Sequence, residues 1–443
     1  METILIGIFI IGYLAITLEH TLKVDKLIPA LAMMAFLWAS ISLFNLPVFE
    51  VNAELKELEP THLEEILLHH LGKTAEIIIF LLGAMTIVEI IDYFNGFFTI
   101  KSFIKTKSKK GLLWIFAILA FILSAIIDNL TATIVLITIL QKVIPSRETR
   151  LWFAGLIIIA ANAGGAWSPI GDVTTTMLWI ANKVTTGKLI GYVLIPSIVC
   201  LVVPTFLAST LHAFKGEIAL PDEEEKVATH PRGAAMLYLG LSAIIFVPMF
   251  KTLTHLPPYV GMMLSLAIVA TFAEIFSKAK ISISSVDLES DAHATASPVH
   301  KSLSKIELPS ILFFLGILLA VAALESLGML FHFAEGLNST IPNTDFVIAL
   351  LGAGSAVIDN VPLVAASIGM FSQELDNPLW HLIAYAAGTG GSMLIIGSAA
   401  GVVAMGMEKI DFFWYLKKIA WLALIGFLAG FFTFLLLRNF ITS

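Results

Sequence analysis

Apolar residues in this chain gather in long uninterrupted runs, and most polar residues fall in the connections between them. Runs at 3–19, 28–48, 75–97, 151–181, 189–212, 233–250, 258–277, 308–333, 379–407 and 412–437 approach or exceed the roughly 20 residues of a membrane-crossing helix. The pattern predicts ten spans. Two further blocks, 111–141 and 343–373, are interrupted at their centres by Asp128-Asn129 and Asp359-Asn360. Each is left with halves of about 15 residues, which predict re-entrant hairpins. Two of the spans carry helix breakers at mid-depth: Gly164, Gly165, Pro169 and Gly171 in 151–181, and Gly388, Gly390, Gly391 and Gly397 in 379–407. Irregular backbone at that depth survives only where protein or a water-filled cavity surrounds it. Both spans are therefore expected to be broken helices inside a bundle.

The same blocks recur. SAIIDNLTATI (124–134) matches SAVIDNVPLVA (355–365) at an offset of 231, and NAGGAWSPIGD (162–172) matches GTGGSMLIIGS (388–398) at 226. Upstream, FLLGAMTIVEIID (80–92) lies over FLGILLAVAALE (314–325), with Gly83 over Gly316 at 233. Three blocks in one order at nearly one offset define an internal repeat. The expected divisions are N-terminal helices with an outer amphipathic helix (1–74), a first repeat (75–212), linker helices and cytoplasmic loops (213–305), and a second repeat (306–443). The amphipathic helix is read from Thr61-x-x-Glu64, a capping-box pattern within the acidic stretch 49–73. Its His62, Glu65, His69 and His70 read as a solvated face rather than a metal site. Residues 278–305, rich in Ser, Ala and His without periodicity, read as a mobile cytoplasmic loop.

Composition agrees. The chain is 58% hydrophobic and 13% charged, about half the charged share of a soluble domain. A polytopic membrane protein follows, and no nucleic-acid partner is expected. The single cysteine, Cys200, excludes an intrachain disulfide. The run Ile4 to Leu18 lacks a basic n-region and a small-residue cleavage site, so it is expected to be a retained helix. Orientation follows the positions of Lys and Arg rather than the net charge of −7. With both termini outside and both hairpins returning to the face they entered from, 20 of the 26 basic residues lie in cytoplasmic segments. The hairpins then enter from opposite faces. The repeats are inverted, a common plan of secondary transporters.

Asp128, Asp172 and Asp359 sit within runs otherwise fit for lipid, where charge is costly, so each is a functional candidate. The breaks expose helix ends and free carbonyls, oxygen ligands suited to a hard cation such as Na⁺. Asn129, Asn162, Asn360, Thr131, Ser168, Thr174, Thr175, Ser392 and Ser398 add neutral oxygens nearby. No Lys or Arg occurs in 111–141, 151–182 or 306–408. A site with three acids and no fixed positive charge suits a cation rather than an anion. Burial disfavours a charged carboxylate and a second carboxylate adds repulsion, so Na⁺ and H⁺ compete for the same acids. A site that takes either but not both exchanges them. Plainer readings stand beside these: Asp128 and Asp359 as N-caps, and Glu89, Asp92 and Glu325 reaching an interface. Glu89 is also placed to be an accessory acid on the ion route. No nucleophile–base or metal-ligand spacing points to an enzyme. The rival functions are a Na⁺-coupled symporter of a dicarboxylate or oxyanion, and a membrane-embedded assembly subunit.

These motifs, with FLLGAMTIVEIID, SAIIDNLTATIV, NAGGAWSPIGDVTTTMLW, SAVIDNVPLVAA and GTGGSMLIIGSAAGVVAMG, resemble the NhaD-type sodium/proton antiporters of the ion transporter superfamily. The resemblance runs from about Ala75 to Met407. It implies the fold of the divalent-anion/sodium symporters, a homodimer of protomers each with a scaffold and an elevator-like transport domain. It also implies Na⁺ or Li⁺ exchanged for H⁺, no cofactor, and the bacterial inner membrane. By motif it marks Asp128, Asn129, Asn162, Asp172, Thr174, Thr175, Asp359 and Asn360 as ion-site residues, with Na⁺ at Asp128, Asn129, Asp172, Asp359 and Asn360, and Glu89 as an accessory acid. In anion-carrying members the hairpin tips read Ser-Asn-Thr. Here a carboxylate stands in place of the serine, in keeping with a cation.

Overall fold

The computed structural model describes residues 2–17, 23–52, 57–103, 106–218, 232–277, 297–306, 308–330, 332–333, 341, 343–357 and 360–441. The chain begins with α1 (Glu2–Thr17) and α2 (Leu27–Leu43), which pack together. A two-stranded antiparallel hairpin follows, β1 (Val48–Asn52) with β2 (Glu57–Thr61), in register Val48 opposite Thr61. Next come α3 (Leu63–Tyr93), a 3₁₀ segment (Gly96–Phe103), α4 (Lys109–Ile127), α5 (Asn129–Val143), α6 (Arg147–Ala166), α7 (Val173–Ile180) and α8 (Thr186–Thr210). After them lie α9 (Gly233–Thr254), α10 (Pro258–Ser277), α11 (Pro298–Leu303), α12 (Leu308–Ser326), α13 (Thr344–Gly354) and α14 (Asn360–Met370). The chain ends with α15 (Pro378–Gly390), α16 (Ala399–Glu408), α17 (Phe412–Lys418) and α18 (Ala420–Ile441). Among the described residues, eight helices are long and apolar enough to cross a membrane. The fold is that of an all-α polytopic membrane protein.

Two compact units result: Met1–Ile78 with Thr106–Pro221 and Pro309–Ser443, and Ile79–Lys105 with Asp222–Leu308. In the second unit α9 packs on α10 and on the 3₁₀ segment. Gly83 faces Met262 and Met263 so closely that any added Cβ would collide with them.

In the first unit the repeated motifs become repeated contacts. α4 packs on α6 as α13 packs on α15. Ser124 Oγ donates to the Ala161 carbonyl at 2.5 Å, and Ser355 Oγ donates to the Ala387 carbonyl at 2.9 Å. Both breaks are real: α6 ends at Ala166 and α7 starts at Val173, while α15 ends at Gly390 and α16 starts at Ala399. The second arms then cross over, α5 against α16 and α14 against α7. Each repeat thus supports the break of the other. Glycine makes the close approach possible, because a Cβ on Gly164 would overlap the Phe121 carbonyl oxygen and one on Gly390 the Gly352 carbonyl oxygen. Those obstacles are backbone and cannot rotate away. Gly164→Ala and Gly390→Ala are each expected to cost more than about 3 kcal/mol, seen as loss of monodisperse protein on detergent extraction.

Several expectations are corrected. The short amphipathic helix foreseen after Thr61-x-x-Glu64 is the first turns of α3, 31 residues long, and β1 and β2 occupy what was read as its acidic approach. Gly72 does not end the helix, since glycine inside a helix costs only about 1 kcal/mol. The run 28–48 stops as helix at Leu43. The hairpin halves are unequal: α4 has 19 residues and α5 has 15, because Ser108 caps α4 ahead of the apolar block. In the second hairpin α13 and α14 have 11 each. The span 412–437 is two helices, α17 and α18. Residues 278–296 of the expected loop lie outside the described residues.

Candidate ion site

Asp172 is the N-cap of α7, in extended backbone at the end of the loop that runs from Trp167 through Gly171. It is 2% exposed. Its Oδ1 accepts from Thr174 N and Thr174 Oγ1, both at 2.8 Å. Its Oδ2 accepts from Asn129 Nδ2 at 2.6 Å. Asn360 Nδ2 faces both oxygens at 3.5 and 3.4 Å. Asn129 and Asn360 open α5 and α14, the second arms of the two hairpins. One buried carboxylate thus draws both hairpin tips and the first break together.

Asn162 on α6 extends the cluster to the second break. Its Oδ1 accepts from Asn129 Nδ2 at 3.1 Å, and its Nδ2 donates to Ser398 Oγ at 3.0 Å. Ser398 caps α16 as Asp172 caps α7, accepting from Gly401 N at 3.2 Å. Asn129, Asn162, Asp172, Thr174, Asn360 and Ser398 therefore form one connected network. Four helix N-termini meet at it, those of α5, α7, α14 and α16. Their partial positive charge favours an anionic group, and the chain supplies that group itself.

Other candidates stand apart from the network. Asp128 is half-buried and caps α5, with Oδ1 accepting from Thr131 N at 2.7 Å and Oδ2 from Thr131 Oγ1 at 2.8 Å. Its carboxylate lies within electrostatic range of Asp172. Its backbone is at φ 88°, ψ 158°, a region that essentially only glycine occupies. Thr175 Oγ1 donates to the Asp172 carbonyl and Ser392 Oγ to the Thr389 carbonyl, so both hydroxyls brace the breaks. Ser168 Oγ accepts from Ile170 N within the first break. Glu89 is half-buried on the part of α3 that belongs to the second unit. Asp359 lies outside the described residues.

Sequence reasoning overlooked Ser124 and Ser355, which anchor the first hairpin arms to the broken helices. The signal was present, since both matched strings begin with that serine. It also overlooked Thr176, whose hydroxyl donates to the Pro169 carbonyl at 2.9 Å and closes the first break.

A buried acid held at the junction of two hairpins and two broken helices, in a bundle of apolar spans, defines a membrane transporter. Residues 13–374 match the sequence profile of the citrate transporter family, CitMHS. The chain is 42% identical to sodium/proton antiporter 1 of Arabidopsis thaliana, over 98% of this chain and 72% of that protein. It is 40% identical to sodium/proton antiporter 2 of the same plant, over 98% and 99%. It is 31% identical to the Na(+)/H(+) antiporter NhaD of Vibrio cholerae, over 98% and 91%. Among solved structures, the YdaH transporter of Alcanivorax borkumensis shares the fold with a TM-score of 0.54 at 13% identity, covering 94% of this chain and 97% of that one. The chain belongs to the CitMHS family and to the NhaD-type sodium/proton antiporters.

Proposed function

We propose that the protein exchanges Na⁺ or Li⁺ for H⁺ across a membrane, with Asp172 as the carboxylate that holds either the metal ion or the proton. The observation that carries this reading is the surround of Asp172, whose described hydrogen bonds come from amide and hydroxyl donors of Asn129, Asn360 and Thr174. No Lys or Arg occurs in 111–141, 151–182 or 306–408, the stretches that carry the site residues. Na⁺ entering beside Asp172 takes the charge, with the Asn162, Asn129, Asn360 and Ser398 oxygens as neutral ligands after their amides turn. A proton on Asp172 removes the reason for Na⁺ to stay. Asp128, and Asp359 on the pseudo-equivalent tip, are assigned to the same exchange, with Thr131, Thr175, Ser168 and Ser392 shaping the site and Glu89 accessory. The repeats are taken as inverted, and the unit carrying the site as the moving part of an elevator in a homodimer. The membrane is assigned as the bacterial inner membrane on the resemblance to the NhaD-type antiporters, and both termini are assigned outside on the distribution of Lys and Arg.

The family's name favours a second reading, a Na⁺-coupled carrier of a citrate-like anion. Against it, two of the four helix N-termini that would hold a substrate carboxylate, those of α7 and α5, are already occupied by Asp172 and Asp128. Purified protein in proteoliposomes with a pH dye separates the two. Na⁺ alone moving protons supports exchange, and Na⁺-dependent uptake of a labelled dicarboxylate with no Na⁺-only proton flux overturns it. Within the exchange reading, Asn162→Ala leaves buried partners unsatisfied at about 1–3 kcal/mol. It is expected to lower kcat/KM for Na⁺ by about 5- to 100-fold.

A further inference from the structure

A cavity of about 260 Å³ lies in the first unit, walled by α3, α7, α12 and α14. Taking a water as about 30 Å³, it has room for roughly eight. α7 and α14 run from the Asp172 cluster at their N-termini to this cavity, which they line with Met177, Ile180, Ala365 and Ile368. α7 is 8 residues long, about 12 Å at 1.5 Å per residue, so cavity and cluster are one short helix apart.

The lining is not simply apolar. Leu318, Val321, Ala322 and Glu325 form one face of α12 at helical spacing, so Glu325 is the polar end of an otherwise greasy wall. Its carboxyl carbon rests 3.2 Å from where a Cβ on Gly369 would sit, so the α14 glycine gives it that seat. Lys73 and Lys183 act on Glu325 electrostatically, and Lys73 is exposed at the cavity. His70, 7% exposed, also lines the cavity, and its Nε2 has no hydrogen-bond partner among the described residues.

We propose that this cavity is a staging site for a hydrated monovalent cation on its way to Asp172, with Glu325 holding the ion and the Lys73 ammonium as the tethered cation that it displaces. This rests on the exchange reading above. The lysine ammonium is a compact charge on a flexible stem, so it can swing aside when Na⁺ arrives and return when Na⁺ moves inward. The tethered charge keeps the carboxylate from standing empty in an apolar wall. Glu76 is the other carboxylate at the lining, so the residues that line the cavity carry two carboxylates against the one ammonium of Lys73.

The test is Na⁺-driven proton flux in right-side-out and everted vesicles, with wild-type protein, Glu325→Gln and Lys73→Gln. Glu325→Gln is expected to raise the KM for Na⁺ about tenfold from one face only, with kcat nearly unchanged. Lys73→Gln is expected to lower the KM from that same face about threefold by removing the competitor. Opposite signs from two neighbouring substitutions are not produced by misfolding. An active wild type whose two variants shift KM equally from both faces, or in the same direction, or not at all, overturns the staging site and leaves the antiporter standing. An inactive wild type overturns the exchange reading itself.

Discussion

Asp172→Asn is expected to abolish Na⁺-driven proton flux while leaving the protein inserted and folded. Asparagine is as good an N-cap as aspartate, so Thr174 N still finds an oxygen and α7 still starts at Val173. The trouble falls on the other side of the residue. Asn129 Nδ2 donates to Oδ2 at 2.6 Å, and an amide nitrogen placed there would meet it donor to donor. One hydrogen bond to a charged group is lost, about 1.5–3 kcal/mol, against which the variant no longer buries a charge. The functional loss is larger in kind. Asparagine neither carries the charge that draws Na⁺ out of water nor accepts the proton that releases it, so both halves of the cycle stop. Dye-monitored flux in proteoliposomes, beside a melting curve of the purified variant, separates the two effects. Wild-type flux in Asp172→Asn removes the residue from the mechanism.

The parts of this protein that were legible in the sequence are those where local chemistry decides structure. Pro169 cannot continue a membrane helix without help, and the helix stops at Ala166, just past Gly164 and Gly165. The Asp-Asn pair at 128–129 reads as a tip, and α4 gives way to α5 there. The repeated strings predict repeated contacts, and Ser124 with Ala161 finds its counterpart in Ser355 with Ala387. What escaped depends on partners far away in the chain. β1 and β2 are five-residue strands with acidic side chains and Pro60 among them, patterns that read as a loop until the two pair. Arg150 Nε lies 3.0 Å from both oxygens of the buried Glu408, fastening the start of α6 to the end of α16. Nothing local to either residue announces a partner 258 positions away. The hub role of Asn162 has the same origin, since its two partners, Asn129 and Ser398, come from different repeats.

Asp128 offers the sharpest division between cap and ion ligand. Its side chain does all that a cap does, with both oxygens engaged by Thr131. Yet its backbone sits at φ 88°, ψ 158°, which costs a non-glycine residue about 1–3 kcal/mol. A residue needed only as a cap has no reason to be there, because glycine caps within a few tenths of a kcal/mol of the best residues and takes that backbone without strain. Asp128→Gly is therefore expected to fold at least as stably as the wild type, with a melting temperature unchanged or raised. Asp128→Asn is expected to keep the cap and the strain and to melt near the wild type. Both are expected to lose Na⁺-driven proton flux, since each removes a carboxylate within electrostatic range of Asp172. Normal flux in a well-folded Asp128→Gly protein would make Asp128 a cap and leave Asp172 to work without it. A lower melting temperature in the glycine variant would instead show that the carboxylate's bonds to Thr131 outweigh the strain they hold in place.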